Sequence, residues 1–189
     1  MCVGLVGAGN LFVAAVRSTH DGRVEPLAED VIRKSFVNCS KGDARRLTLP
    51  GRLDDLDWPN LDFLGWRDPK SPNNGFVVLR RGGEVLGLAL QAAPRPKGTF
   101  RRSMCALCNT VHGSGDVALF SARRVGGAGK LGNTVGTYIC ADLACCLYVR
   151  GRRRPSVPNP ARTATVEDRL DRTLANLNRF VDDVLTDNS

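Results

Sequence analysis

Four cysteines fall into two sequence-local pairs, Cys105-Ala-Leu-Cys108 and Cys140-Ala-Asp-Leu-Ala-Cys145. The first pair has the C-x2-C spacing of a zinc knuckle, and 31 residues separate it from the second. A tetrahedral Zn²⁺ takes four soft or borderline ligands, with thiolate sulfurs about 2.3 Å from the metal. Two local pairs supply that set while each closes only a short loop. The chemistry expected of Cys105, Cys108, Cys140 and Cys145 is therefore structural zinc binding. Two substitutes for the fourth ligand stay open at this point. Cys146 follows Cys145 directly but points about 100° away on a helix of 3.6 residues per turn, which favours Cys145. His112 stands four residues beyond Cys108.

Other uses of the cysteines fit less well. Seven is an odd count for a disulfide framework, and nothing in the chain argues for export. A redox C-x-x-C belongs in a thioredoxin-like βαβ setting, which the flanking residues do not suggest. Cys2, Cys39 and Cys146 read as small buried hydrophobes or unpaired thiols. Zinc thiolates point to a reducing compartment, so the expected location is the cytoplasm.

The elements that must position these ligands can be read in outline. Residues 25–38 have a helical stripe of Leu27, Val31, Ile32 and Phe36, with acids at the start. A further helical turn or two is expected at 40–46, and a strand at 61–66. Trp58 and Trp66 read as packing residues. Two β-rich runs flank Gly82-Gly83, at 76–81 and 84–90, and predict a hairpin with a two-residue turn. Residues 92–98 read as a linker into the cysteine region. Within it, a strand is expected over 117–125, a mobile glycine-rich tip over 126–132, and a returning strand over 134–139. A short helix should follow over 141–149. Knuckle, hairpin and then a ligand pair at a helix start is the treble-clef order. Four arginines and three prolines between 150 and 160 form a stiff, charged connector. A last helix over 165–186 carries Val166, Leu170, Leu174, Leu177, Val181, Val184 and Leu185 at helical spacing, a stripe expected to dock on the same chain.

The fold class that follows is α+β: a small antiparallel sheet with flanking helices, a treble-clef zinc finger at about 100–152, and a long C-terminal helix. At 189 residues the chain holds one sizeable core. A single domain is expected over 25–189. Residues 1–24 are expected to form a poorly ordered extension, and synthesis could begin at Val24. Gly7-Ala-Gly9 does not extend to a dinucleotide fingerprint, because the third glycine position is Phe12. Met1-Cys2-Val3 lacks the basic start of a signal peptide. No apolar run is long enough to span a membrane.

The formal charge is +8, and its placement matters more than its size. Residues 95–162 hold twelve Lys or Arg against Asp116 and Asp142, so the cysteine region is also the basic region. An acidic protein surface or RNA is the kind of partner that this charge favours.

The segments Arg101-Arg102-Ser103-Met104-Cys105-Ala106-Leu107-Cys108 and 133–145 resemble the treble-clef module of the elongation factor G-binding family. That family was once labelled fibronectin-binding and includes the fusidic acid resistance proteins. Ser35–Gly42 and Leu61–Pro69 also resemble its short, single-module members. The resemblance spans about residues 25–185 and implies Cys105, Cys108, Cys140 and Cys145 as the zinc ligands. It further implies a protein that docks on elongation factor G and promotes its release from the ribosome. Arg123, Arg124 and Lys130 on the hairpin, with Tyr138, are the expected partner-binding residues. The alternative partner is ribosomal RNA, bound by the same patch and by Arg150–Arg154. No enzyme activity or small-molecule substrate is expected. Four protein thiolates leave zinc no open position for water, and the two histidines lie far apart with no nucleophile–base set. Asp54, Asp55 and Asp57 read as a solvated loop.

Overall fold

The computed structural model describes residues 25–94, 102–160 and 163–186. The expected extension over 1–24, and most of the expected linker at 92–98, lie outside the described residues. The centre is a five-stranded antiparallel sheet in the order β1-β2-β3-β6-β7. Its strands are β1 (Leu64–Arg67), β2 (Asn74–Arg81), β3 (Glu84–Ala92), β6 (Val117–Arg123) and β7 (Thr134–Cys140). A two-stranded ribbon, β4 (Ser103–Met104) and β5 (Val111–His112), is inserted between β3 and β6.

The β2–β3 hairpin turns as its sequence predicts. Gly82 and Gly83 have φ of 58° and 85°, values open to glycine at little cost and suited to the turns that match strand twist. They place Arg81 opposite Glu84. β2 is buried on both faces, so alternate residues enter two separate cores. Phe76 and Val78 join Leu27, Ile32, Trp58, Leu64 and Trp66 under the N-terminal segment. Val77 and Leu79 join Phe63, Leu88, Phe120, Ile139 and the C-terminal helix on the opposite face. Both tryptophans are packing residues, as expected. Trp58 and Trp66 are almost fully buried, and their indole N–H groups donate to the carbonyls of Leu53 (2.7 Å) and Thr48 (2.8 Å).

The N-terminal helices are shorter than their apolar pattern suggests. α1 covers Glu29–Lys34 only, and Pro26 precedes it rather than standing in its first turn. The chain leaves the helix so that Phe36 can bridge to Gly87 of β3. α2 (Lys41–Arg46) starts at Ser40, whose hydroxyl accepts from Asp43 N–H. Tertiary contacts win over propensity in segments this short, because nucleating a helix is unfavourable and few residues repay it.

The glycine-rich stretch after β6, expected as a hairpin tip, contains a helical turn. Residues Gly126–Lys130 form one helical turn, α3, with Ala128 and Gly129 buried. A Cβ at Gly129 would lie 1.8 Å from Arg124 O, so only glycine fits this close approach. α4 (Cys145–Val149) begins later than the predicted helix, after a tight turn. α5 (Val166–Leu185) opens with a capping box, Thr165 and Asp168 exchanging hydrogen bonds. Leu170, Leu177, Phe180, Val181 and Val184 of α5 pack into the second core. The amphipathic stripe is thus used for docking within the chain. No helix among the described residues is long and apolar enough to cross a membrane.

Candidate metal centre

The two cysteine pairs are brought together by two tight turns, each with a non-glycine residue at positive φ. The first is the β4–β5 ribbon. Cys105 N–H donates to Thr110 O (3.0 Å), Asn109 N–H returns to Cys105 O (2.9 Å), and Asn109 has φ of 54°. Asparagine tolerates this left-handed region better than most residues. The second turn joins β7 to α4. Leu143 N–H donates to Cys140 O (2.8 Å), and Leu143 itself has φ of 59°. A bulky residue there is strained. Leu143 is nonetheless almost completely buried, with its backbone and side chain fitted against Gly65 and Gly75 of β1 and β2.

The result is a closed set of sulfurs. The Sγ atoms of Cys105, Cys108, Cys140 and Cys145 all lie within 4.8 Å of one another, and all four residues are buried. Cys105 and Cys145 are 3.7 Å apart, and Cys108 and Cys140 are 3.6 Å apart. A tetrahedron with metal–sulfur bonds of about 2.3 Å has edges of about 3.8 Å. The donor set therefore fits a tetrahedral thiolate-binding ion. Among the thiols, hydrogen bonds from Cys105, Cys140 and Cys145 hold Cys108 far below the ordinary thiol range. Donation to Cys105 and Cys108 keeps Cys140 and Cys145 well above it. Only a cation would let all four ionise together, since metal binding displaces their protons.

The neighbours of the cluster have distinct duties. Cys146 turns away from the four sulfurs: its Sγ accepts from Asp62 N–H (3.4 Å) and faces Phe63 O. Burial, followed by the negative charge of Asp62, pushes its thiol up to about 12. His112 lies beside the cluster with Nε2 3.3 Å from Cys140 Sγ. A proton on Nε2 would point at that sulfur, the outer-shell arrangement that orients a thiolate ligand. The ring also meets Tyr148 edge-on at 4.6 Å. Tyr148 donates its hydroxyl to Asp142 (2.8 Å), which also accepts from Ala144 N–H at the start of α4 (3.0 Å). Burial and the Asp142 carboxylate together hold the Tyr148 phenol protonated.

The residues expected to bind a partner are not equivalent. Arg123 and Tyr138 lie on one outer face of the β6–β7 pair, where Arg123 stands opposite Thr134 and Leu119 opposite Tyr138. Four residues of strand separate them, about 14 Å at 3.4 Å per residue. Both are exposed, as is Lys130 at the end of α3. Arg123 borders a groove of about 690 Å³ whose walls include Arg46, Gln91 and Thr134. Arg124 behaves differently. Its guanidinium donates to Asp183 O and to Thr186 O (3.1 Å), so it ties down the end of α5. In the arginine run, Arg150 is held inside by Asp62 (2.8 Å), while Arg152, Arg153 and Arg154 are exposed, Arg153 with a surface pair to Asp142 (3.0 Å).

The participation of Asp62, Gly65 and Leu143 around the centre was not legible in the sequence. Asp62 is 88 residues from Arg150, and no local pattern links them.

Comparison with known proteins places this geometry in a family. Residues 31–184 match the family model described as the FBP C-terminal treble-clef zinc-finger. No curated protein matches the chain. Among solved structures, the chain is similar to one titled "Structure of the fusidic acid resistance protein FusC", at 17% identity and a TM-score of 0.45. The similarity covers 82% of this chain and 54% of that one, so this chain spans about half the length of that protein. With most of its length matched and its four cysteines gathered at a knuckle and a helix start, the chain belongs to the FBP C-terminal treble-clef zinc-finger family.

Proposed function

We propose that this protein is a zinc-stabilised adaptor of the cytoplasm that binds elongation factor G and promotes its release from the ribosome. Membership of the treble-clef family supports the zinc, and the sequence resemblance supports the factor. The observation that carries the reading is the character of the β6–α3–β7 hairpin. Between Asp116 and Asp142 it has three basic residues and no acidic one. Arg123 and Lys130 are exposed there beside Leu119, Leu131 and Tyr138, which are 36%, 81% and 57% exposed. Exposed apolar and aromatic anchors beside positive charge suit an acidic protein surface, with the charges steering encounter and the anchors supplying affinity. The protein acts in this reading by binding, not catalysis.

Ribosomal RNA is the second reading, and it draws less support. Two of the four arginines in 150–154 are engaged with Asp62 and Asp142. The test is size-exclusion co-elution of zinc-quantified protein with elongation factor G in moderate salt, without nucleic acid. A stoichiometric complex is expected. Arg123→Glu with Lys130→Glu and Tyr138→Ala should weaken it by at least about a hundredfold, the scale of hot-spot loss, with zinc retained. Arg124 stays unchanged in this variant because of its work in the fold. Failure to bind the factor, together with RNA binding that falls steeply with salt, would move the function to RNA.

A further inference from the structure

We infer that the metal centre and the β1 end of the sheet form one cooperative unit, in which the Asp62–Arg150 ion pair and Leu143 position Cys145. The inference rests on the four cysteines being a zinc site and is independent of the partner. It starts from α4, which has only five residues and no side-chain cap at Ala144. A helix that short does not hold itself, so Cys145 needs outside support.

That support converges on residues 62–67. Arg150, the C-terminal cap of α4, pairs with Asp62, and both side chains are largely buried at 17% and 5% exposure. Cys146, next to Cys145 on α4 but turned away from the four sulfurs, accepts from Asp62 N–H and faces Phe63 O. Arg67 reaches across to Ala141 O (3.0 Å). Leu143 fills a notch that only glycines leave open: a Cβ at Gly65 would lie 2.4 Å from Leu143 O, and one at Gly75 would lie 3.0 Å from Leu143 Cδ1. β1 and β7 are at opposite ends of the strand order. The turn after β7 nevertheless closes over β1, so these contacts join the two ends of the sheet.

The consequence is two-way. Metal bound to Cys140 and Cys145 fixes the 140–145 turn and hence its grip on β1. Conversely, breaking the grip leaves Cys145 free to move and weakens the metal. A buried ion pair suits this duty, because removing one partner strands the other charge. In the metal-free protein, residues 62–67 should loosen together with 140–149, while the β2–β3 hairpin, whose strands pair with each other along the whole of β2, keeps its protection.

The experiment uses the full chain. Zinc content is quantified first, zinc affinity is then measured by chelator competition, and hydrogen exchange is followed with and without chelator. The unmodified protein is compared with Asp62→Asn, Arg150→Met and Leu143→Ala, and with Arg81→Gln, which breaks only the distant Arg81–Asp182 pair. The coupling predicts about tenfold weaker zinc binding in each of the first three, a size usual for outer-shell changes, and none in Arg81→Gln. It also predicts that chelation accelerates exchange of Leu64–Arg67 together with the cysteine turn, ahead of the β2–β3 hairpin. Should Asp62→Asn fail to fold, Leu143→Ala and the exchange pattern of the unmodified protein still decide. Zinc affinity unchanged within about twofold, or exchange lost uniformly over the whole chain, overturns the coupling alone. Absence of zinc from the unmodified protein overturns the zinc reading as well.

Discussion

Cys145 and Cys146 stand side by side and meet different surroundings, one among the four sulfurs and the other against Asp62 and Phe63. Their replacements should therefore fail differently. Cys145→Ser should lose bound zinc as measured by elemental analysis, because three thiolates and a hydroxyl hold the ion less well. Cys146→Ser should keep zinc and show its effect as lowered stability in denaturant titration. Reactivity divides the thiols further. The thiolate is the nucleophile, and burial holds the Cys146 thiol up at about 12. At pH 7.5 that thiol is protonated and enclosed. Among the described cysteines Cys39, half-buried and outside the metal cluster, should alkylate first in zinc-loaded protein. Mass mapping after brief iodoacetamide treatment checks the order, and early modification of Cys146 would contradict the packing around α4. The pairing of Cys105 and Cys108 is readable from C-x2-C alone. The orientation of Cys146 follows from helical geometry. The strained φ of Leu143 has no sequence signature, since leucine at that position reads only as a residue that cannot ligate.

At the scale of elements, α5 and the β6–α3–β7 hairpin carry the clearest consequences. α5 packs by Leu177 and its neighbours into the core that also contains the cysteines. Leu177→Ala should lower unfolding free energy by about 2–5 kcal/mol, the range for emptying a leucine site, in urea titration of the zinc-loaded protein. Thr165→Ala removes the capping-box hydroxyl and should cost about 1 kcal/mol. α5 was legible because its apolar stripe persists over 20 residues. α3 was not. Its glycines read as a mobile tip, but they allow a close turn in which Asn133 N–H bonds to Ala128 O (3.0 Å) and Gly129 nests on the Arg124 carbonyl. Composition alone does not report that such a segment folds into a turn; the backbone contacts do. The expected helix over 25–38 shows the same limit: its stripe is real, but Phe36 is taken by the sheet edge at Gly87.

Across the whole molecule, the zinc finger is not an appendage. Its knuckle is inserted between the third and fourth strands of the sheet, and its helix start follows the fifth. Zinc retention should fall as pH is lowered, since protons compete with the metal for four thiolates. A chromophoric chelator titration across pH checks this, and pH-independent retention would contradict an all-thiolate site. Residue types at short spacing already specify the C-x2-C knuckle and Cys140, the knuckle-to-helix order, the β2–β3 turn, the docking helix and the basic hairpin, and they narrow the fourth ligand to Cys145, Cys146 or His112. Each is written in residue types at short spacing, where local geometry leaves few choices. Which arginines remain available to a partner is set by contacts between distant parts of the chain. Arg124 is taken by the end of α5 and Arg150 by Asp62, whereas Arg153, paired with Asp142, stays exposed. Such contacts also close the metal turn over β1 at Gly65. The contacts of Arg124, Arg150 and Gly65 join residues 59 to 88 positions apart. No local pattern records them, because the chain between such residues is free until the whole sheet has formed.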